Sequence, residues 1–277
     1  MIVTLTLNPA VDKIIQVNRL AIGEVNRVRN SQLDAGGKGI NVSRMVDRLG
    51  WPTIAFGFLA GEMGSVIERA LTDQGVQYSF LRVAGQTRLN VTIFDQKSSL
   101  GSSFYERGPR VGKRQLEALA RELQPWLMAC RVLALGGSLI PGAPDSIYAD
   151  YIQRARDAGI KTILDAGAES LRLGVAARPT LIKPNIEEAE QLVGHPLPDV
   201  SAVVEAARSI ATNGVETVVI SMAEQGAIMA HGAEAWRAIP PNGAKISLMS
   251  VAVRAGAGAR HLVILSGVGR ATDASAP

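Results

Sequence analysis

A chain of 277 residues is long enough to bury one large core or two small ones. Apolar residues make up 47%, charged residues 19% and aromatic residues 4%, the balance of a soluble, Ala/Val/Leu-rich α/β protein. The 29 basic and 25 acidic side chains leave a formal charge of +4 with no Lys/Arg run, which argues against nucleic acid and leaves an anionic small molecule open.

The opening "MIVTLTLNPAVDK" has no basic n-region and meets Pro9, so it predicts a strand and not a signal peptide. No apolar run reaches the roughly 18–20 residues of a membrane span, so no membrane partner and a cytoplasmic location are expected. "IVTLTLN", "TIAFGFLA", "RVLALGG", "KTILDAG", "TLIKP" and "TVVISMA" read as strands, several too uniformly apolar to have a wet face. Strands buried on both faces point to a parallel sheet. Between them, "GSVIERALTDQG", "GKRQLEALARELQPWL", "DSIYADYIQRARDAG", "IEEAEQLVG" and "VSAVVEAARSIATNG" have helical patterns with glycine or proline stops. The alternation predicts a three-layer α/β/α architecture. A second texture, alternating polar and apolar, marks "KIIQVNRL", "YSFLRV", "RLNVTIFD" and "SSFYERG" as half-exposed strands. These segments, at 13–31 and 78–108, predict a small β-sheet lid interleaved with one domain spanning 1–277. Cys130 in "LMACRVL" predicts a buried, inert thiol. After Glu234 the only acid is Asp273, and "GRATDASAP" reads as disordered.

"DAGGKGINVSRMVDRLG", residues 34–50, carries the most chemistry. Gly36, Gly37 and Gly39 free the backbone for unusual dihedrals and close approach. Val42, Met45, Val46 and Leu49 then repeat at helical spacing. Glycine-rich backbone feeding a helix N-terminus suits an anion or a polyol, and Lys38 adds a charge. A Walker A loop is excluded, because Gly39 follows the lysine; a glycine turn with no ligand is the alternative. Asp12 follows the first strand, where a carboxylate can accept hydrogen bonds from adjacent hydroxyls, although alone it reads equally as a turn residue. His195, His231 and His261 are scattered, without metal-ligand spacing.

Taken together, "TLNPAVD", "AGGKGINVSR", "QTRLNVTI", "GGSLIPGAP" and "LIKPNIEEAEQLVG" occur in the order and context of the phosphofructokinase B branch of the ribokinase-like sugar kinases. The resemblance covers residues 2 to about 241. "GEVNRV" and "YERGPRV" make it most similar to the 1-phosphofructokinases and tagatose-6-phosphate kinases. The resemblance implies a ribokinase-like α/β/α core with a β-sheet lid, and ATP- and Mg²⁺-dependent phosphorylation of a sugar phosphate. It implies that Asp12, Gly37 and Asn41 hold sugar hydroxyls, with Ser138 facing the same cleft. Lys38 and Arg88 would clamp the phosphate already on the sugar; an exposed lid charge is the other reading of Arg88. Asn185 and Glu188 match an N-x-x-E element that organises Mg²⁺, with Lys183 nearby, and Glu187 and Glu190 read as solvated charges. Ser221 and Gly226 match the turn that meets the nucleotide, where Ala223 replaces the family's usual glycine in a way expected to tighten the turn. A homodimer through the lid is a further implication.

The same resemblance implies a G-A-G-D loop whose backbone stabilises the transferring phosphoryl group and whose aspartate is the general base. This chain has Gly256, Ala257 and Gly258, then Ala259, and residues 242–277 depart from the family pattern. Two explanations stand: a degenerate relative that senses sugar phosphates without transfer, or a last segment read in a shifted frame. Asp165, after the strand in "LDAG", reads as a brace of the sheet, and Asp273 lies in the loose tail; neither replaces the base. A Rossmann oxidoreductase is disfavoured, since no strand-linked G-x-G-x-x-G is present.

Overall fold

The computed structural model describes residues 1–239 and two short strands, Ala252–Arg254 and Leu262–Ile264, that pair antiparallel. The main sheet is built from β1 (Ile2–Thr6), β4 (Thr53–Leu59), β5 (Gln77–Arg82), β8 (Val132–Gly136), β9 (Lys161–Asp165), β10 (Leu181–Ile182), β11 (Thr217–Ser221), β12 (Ala227–His231) and β13 (Glu234–Ala238). Its nine strands run in the order β13-β12-β11-β10-β9-β8-β1-β4-β5. All neighbours from β5 to β11 are parallel, and β12 and β13 add antiparallel hairpins at one edge.

Among the described residues seven helices cover this sheet: α1 (Lys38–Arg48), α2 (Gly61–Asp73), α3 (Lys113–Ala129), α4 (Ile147–Asp157), α5 (Ala168–Ala176), α6 (Ile186–Val193) and α7 (Val200–Thr212). Every residue of β4 is buried, as a strand covered on both faces requires. Phe56, Phe58, Leu119, Leu123, Leu133, Tyr148 and Ile152 form the centre of the main core. Each such side chain removed from water contributes about 1.5–3 kcal/mol. The result is a large central sheet flanked by helices, the ribokinase-like architecture.

The lid is a separate four-stranded sheet, ordered β3-β2-β6-β7, from β2 (Ala10–Val17), β3 (Asn30–Gly36), β6 (Arg88–Asp95) and β7 (Leu100–Phe104). Val11 and Ala35 at its root join Ile40, Leu59, Ile67, Leu71 and Val76 in a second core cluster, which ties the lid to α1 and α2.

The structure corrects the reading of "YSFLRV" as a lid strand. It is β5, paired in parallel with β4 at the edge of the main sheet. An edge strand of a parallel sheet is half-covered, and so acquires the alternation of a lid strand. The lid also takes in Asn30–Gly36, whose polar "NSQLD" offers no strand signal apart from its partner β2. The buried thiol of Cys130 is borne out, and burial raises its pKa.

Candidate active site

The chain enters the sheet at β1, builds outward through β4 and β5, then returns to the other side of β1 with β8. Such a reversal opens a crevice beyond the C-terminal strand ends. Asn8, Ser138, Asp165, Lys183 and Asn185 all lie at or just past those ends.

On the lid side, Asp12 stands opposite Asp34 of β3 and Asn90 of β6. Side chains alternate along a strand, so Arg88 and Asn90 share one face with Asp12. Asn90 donates through Nδ2 to Asp12 Oδ1 at 2.9 Å. Arg88 donates from Nε and Nη2 to the backbone oxygen of Asn8, at 3.2 and 2.9 Å. Burial raises the Asp12 pKa, against the Asn90 hydrogen bond and the Arg88 charge, which both lower it. Burial likewise lowers the Arg88 value, and Asp12 opposes that. Two orphan acceptors sit in this neighbourhood: the buried Oδ1 atoms of Asn8 and Asn90 have no hydrogen-bond partner. An unsatisfied buried acceptor costs about 1–3 kcal/mol, which a hydroxyl-bearing ligand would recover.

The glycine-rich entry to α1 is shaped by contact. A Cβ on Gly36 would overlap the Asp12 carboxylate, and Gly37 has φ 131° with Thr6 Cγ2 only 2.9 Å from where its Cβ would be. Asn41 is buried one turn into α1, while Ser138 is exposed on the loop after β8. That loop is fastened by Tyr148, whose hydroxyl meets the carbonyls of Gly136 and Gly137 at 3.1 and 3.2 Å. Complete burial raises the Tyr148 pKa strongly.

The other side of the crevice is organised by Asp165. Its Oδ1 lies 2.6 Å from Lys38 Nζ and its Oδ2 lies 3.2 Å from Lys183 Nζ. Asp165, expected from "LDAG" to brace the sheet, ties the end of β9 to α1 through Lys38 and to the segment after β10 through Lys183. Burial alone would lower the Lys38 pKa, but the Asp165 carboxylate and the more remote Glu188 raise it above its ordinary value. Lys38 and Arg88, read together from the sequence, have different partners.

Asn185 and Glu188 form a reciprocal capping box at the start of α6. Glu188 N donates to Asn185 Oδ1 at 2.8 Å and Asn185 N donates to Glu188 Oε2 at 2.9 Å. Glu188 Oε1 faces Gly167, where a Cβ would come within 3.0 Å of it. Ser221 lies beside Asn185 through an isolated parallel bridge. Ala223 adopts φ 49° and Gly226 φ 91° in the turn that follows. Ala223 opens a short 3-10 turn, Ala223–Gln225, and places a Cβ in the left-handed region. Gly256, Ala257, Gly258, Ala259, His261 and Asp273 lie outside the described residues, as does most of 242–277.

A family model described as pfkB family carbohydrate kinase matches residues 5–247. The chain belongs to this family. Among solved structures, phosphofructokinase-2 from Escherichia coli in complex with fructose-6-phosphate is 27% identical with a TM-score of 0.81, over 89% of this chain and 82% of that one. A possible 1-phosphofructokinase from Thermotoga maritima is 27% identical with a TM-score of 0.78, over 85% and 76% of the two chains. As a pfkB carbohydrate kinase, the chain is a sugar kinase, an alcohol-directed phosphotransferase.

Sequence reasoning left Asn8, Asn90, Tyr148 and the lysine-holding role of Asp165 unassigned. Asn8 and Asn90 stand inside the quoted motifs "TLNPAVD" and "QTRLNVTI", so the signal was present. Tyr148 sits in a helical pattern that reads as core, and only the fold brings its hydroxyl to the loop that carries Ser138.

Proposed function

We propose that this pfkB kinase takes fructose 1-phosphate as acceptor and MgATP as donor, giving fructose 1,6-bisphosphate. The observation that carries the acceptor side is the lid-root group of Asp12, Asn90 and Arg88, a half-buried carboxylate held beside a guanidinium. Asp12 accepts from sugar hydroxyls, with Gly37 and Asn41 lining the same approach and Ser138 on the opposing loop. Arg88 offers its remaining N–H groups to the phosphate already on the sugar, for which a planar fork is suited.

The donor side fits hard-cation chemistry. Glu188 and Asn185 present carboxylate and amide oxygens, and among the described residues no three His, Cys, Asp or Glu cluster to form a protein cage. That composition suits Mg²⁺ arriving with the nucleotide and keeping most of its waters, with Glu188 and Asn185 holding those waters. MgATP, when bound, supplies the phosphoryl group; Lys183, Ser221 and Gly226 line its approach.

Ala259 stands in the sequence where the family has its general base, a group worth typically 10²–10⁴-fold, so slow turnover with intact binding is expected. Fructose 6-phosphate, present in the Escherichia coli phosphofructokinase-2 complex, and tagatose 6-phosphate are the alternative acceptors. A sensor that binds without transfer is the other reading. Calorimetric titration with the three sugar phosphates, paired with an ADP-release assay, tests all of this. Tightest binding of fructose 1-phosphate with measurable ADP release is the expected result. Tight binding without ADP release favours the sensor, and no binding of any sugar phosphate refutes the proposal.

The lid also supports a homodimer. Register places Leu33, Ile15, Val91, Ile93, Leu100 and Phe104 on the face opposite Asp12 and Asn90. Leu100 is 69% exposed and Phe104 59%, an apolar surface that a second lid would cover.

A further inference from the structure

Lys38 and Arg88 differ in every partner the structure gives them. Arg88 is fixed on the Asn8 carbonyl, beside Asp12 at the lid root. Lys38, the first residue of α1, reaches the other way and binds Asp165 Oδ1, while Lys183 binds Oδ2 of the same carboxylate. One carboxylate thus holds both ammonium groups, at 2.6 and 3.2 Å from its two oxygens. Lys183 in turn is two residues before Asn185, the cap of α6, and Glu188 is the second carboxylate that acts on Lys38. The charged groups that act on Lys38, Asp165 and Glu188, thus stand with Lys183 and Asn185 on the side read above as the donor's.

A phosphate already on the acceptor sugar must lie away from the hydroxyl that is attacked, whereas the transferred group lies beside it. Two lysines on one carboxylate form a compact cationic pair suited to a single phosphoryl group and unsuited to two separated ones. We infer that Lys38 serves the transferring phosphoryl group, held with Lys183 by Asp165 as their positioning residue, and does not bind the phosphate already on the sugar. This assignment rests on the sugar-phosphate kinase reading and deepens it: recognition of the acceptor's phosphate falls to Arg88.

Lys38→Met is a mild perturbation of the fold, because Asp165 keeps Lys183 as its counter-ion. Titration calorimetry on the full chain would measure the Mg²⁺ complex of the non-hydrolysable ATP analogue AMP-PNP, fructose 1-phosphate and unphosphorylated fructose. Loss of one charge-assisted contact predicts about 10- to 100-fold weaker AMP-PNP binding in Lys38→Met. The preference for fructose 1-phosphate over fructose should stay within about twofold of the parent, by the additivity of separated sites. Arg88→Met should do the reverse, erasing that preference and sparing AMP-PNP. Lys38→Gln, shorter and polar, gives the same readout if the methionine variant folds poorly. A fall in phosphate preference in either Lys38 variant, with AMP-PNP binding unchanged, overturns the assignment alone. A parent chain that shows neither phosphate preference nor nucleotide binding overturns the kinase reading, and the assignment with it.

Discussion

Glu188 has two separable tasks, and one pair of substitutions divides them. Its Oε2 accepts from Asn185 N at 2.9 Å in the capping box, a task a glutamine amide oxygen also performs. Its charge is what a water-carrying Mg²⁺ would require. Glu188→Gln keeps the hydrogen bond and loses only the charge at the helix N-terminus, worth about 0.3–1 kcal/mol. Glu188→Ala loses the hydrogen bond as well, and a cap contributes about 1 kcal/mol on its own. At roughly 2–4 °C per kcal/mol for a chain of this size, Glu188→Gln should unfold about 1–4 °C below the parent. Glu188→Ala should fall about 3–8 °C on the same scale. Both should shift the Mg²⁺ requirement of nucleotide binding upward by about tenfold, the weight of one charge-assisted contact. Thermal unfolding followed by circular dichroism, together with nucleotide titrations over a range of Mg²⁺, reads both effects. If the two variants unfold together, the box contributes no stability. If the glutamine variant keeps the parent's Mg²⁺ dependence, the charge does not serve the cation.

Tyr148→Phe keeps the ring but strands the Gly136 and Gly137 carbonyls, so a loss of about 1–3 kcal/mol in denaturant unfolding is expected. It should also weaken sugar-phosphate binding more than nucleotide binding, since the Ser138 loop hangs from those carbonyls. Ala223→Gly relieves a left-handed alanine at φ 49° and should stabilise the chain by about 0.5–1 kcal/mol, read as a higher unfolding midpoint. Leu100→Lys, at a site 69% exposed, should leave the unfolding midpoint unchanged and shift the sedimentation profile toward monomer if the lids pair. Burial holds the folded Asp12 pKa above 3.8, so the native state retains a proton that the unfolded chain has released. Stability is then lost as pH rises through that window. Asp12→Asn should consequently unfold at a higher temperature than the parent at neutral pH, lose that advantage below pH 3.8, and bind sugar phosphate poorly.

Much of the fold is legible because burial on both faces leaves an unmistakable imprint. β4 is buried throughout and reads as "TIAFGFL"; β1, β8 and β11 are buried at every residue but one end. Legibility fails where coverage is partial. β5 is half-covered and mimics a lid strand, and β13 mixes exposed and half-buried residues with no apolar run to mark it. β3 is held by its ladder with β2, a long-range term that no local window contains. Helix α5 has its cap residue at Gly167 and an alanine at φ 50° as its first residue, so its start lacks a capping side chain.

The site shows a related division. Asp12, Asn41, Arg88, Asn185 and Glu188 are candidates because each stands in a motif that resembles the family's. Which of them act together is a matter of topology. Lys38 is adjacent in sequence to Gly37, a candidate for the sugar, yet α1 turns its side chain across the end of β8 toward Asp165. The gap between neighbouring in sequence and serving the same ligand is set there by one strand crossing. A lysine at the first position of a helix can reach either wall of a crevice, and the fixed anion decides which. In this chain that anion is Asp165, which is 8% exposed at the end of β9 and bound to Lys183 as well. The acceptor wall offers no equivalent, because Asp12 is engaged by Asn90 and lies within the field of Arg88. Charge pairing therefore sets Lys38 and Lys183, held by Asp165, apart from Arg88 beside Asp12, the division on which the proposed donor and acceptor halves rest.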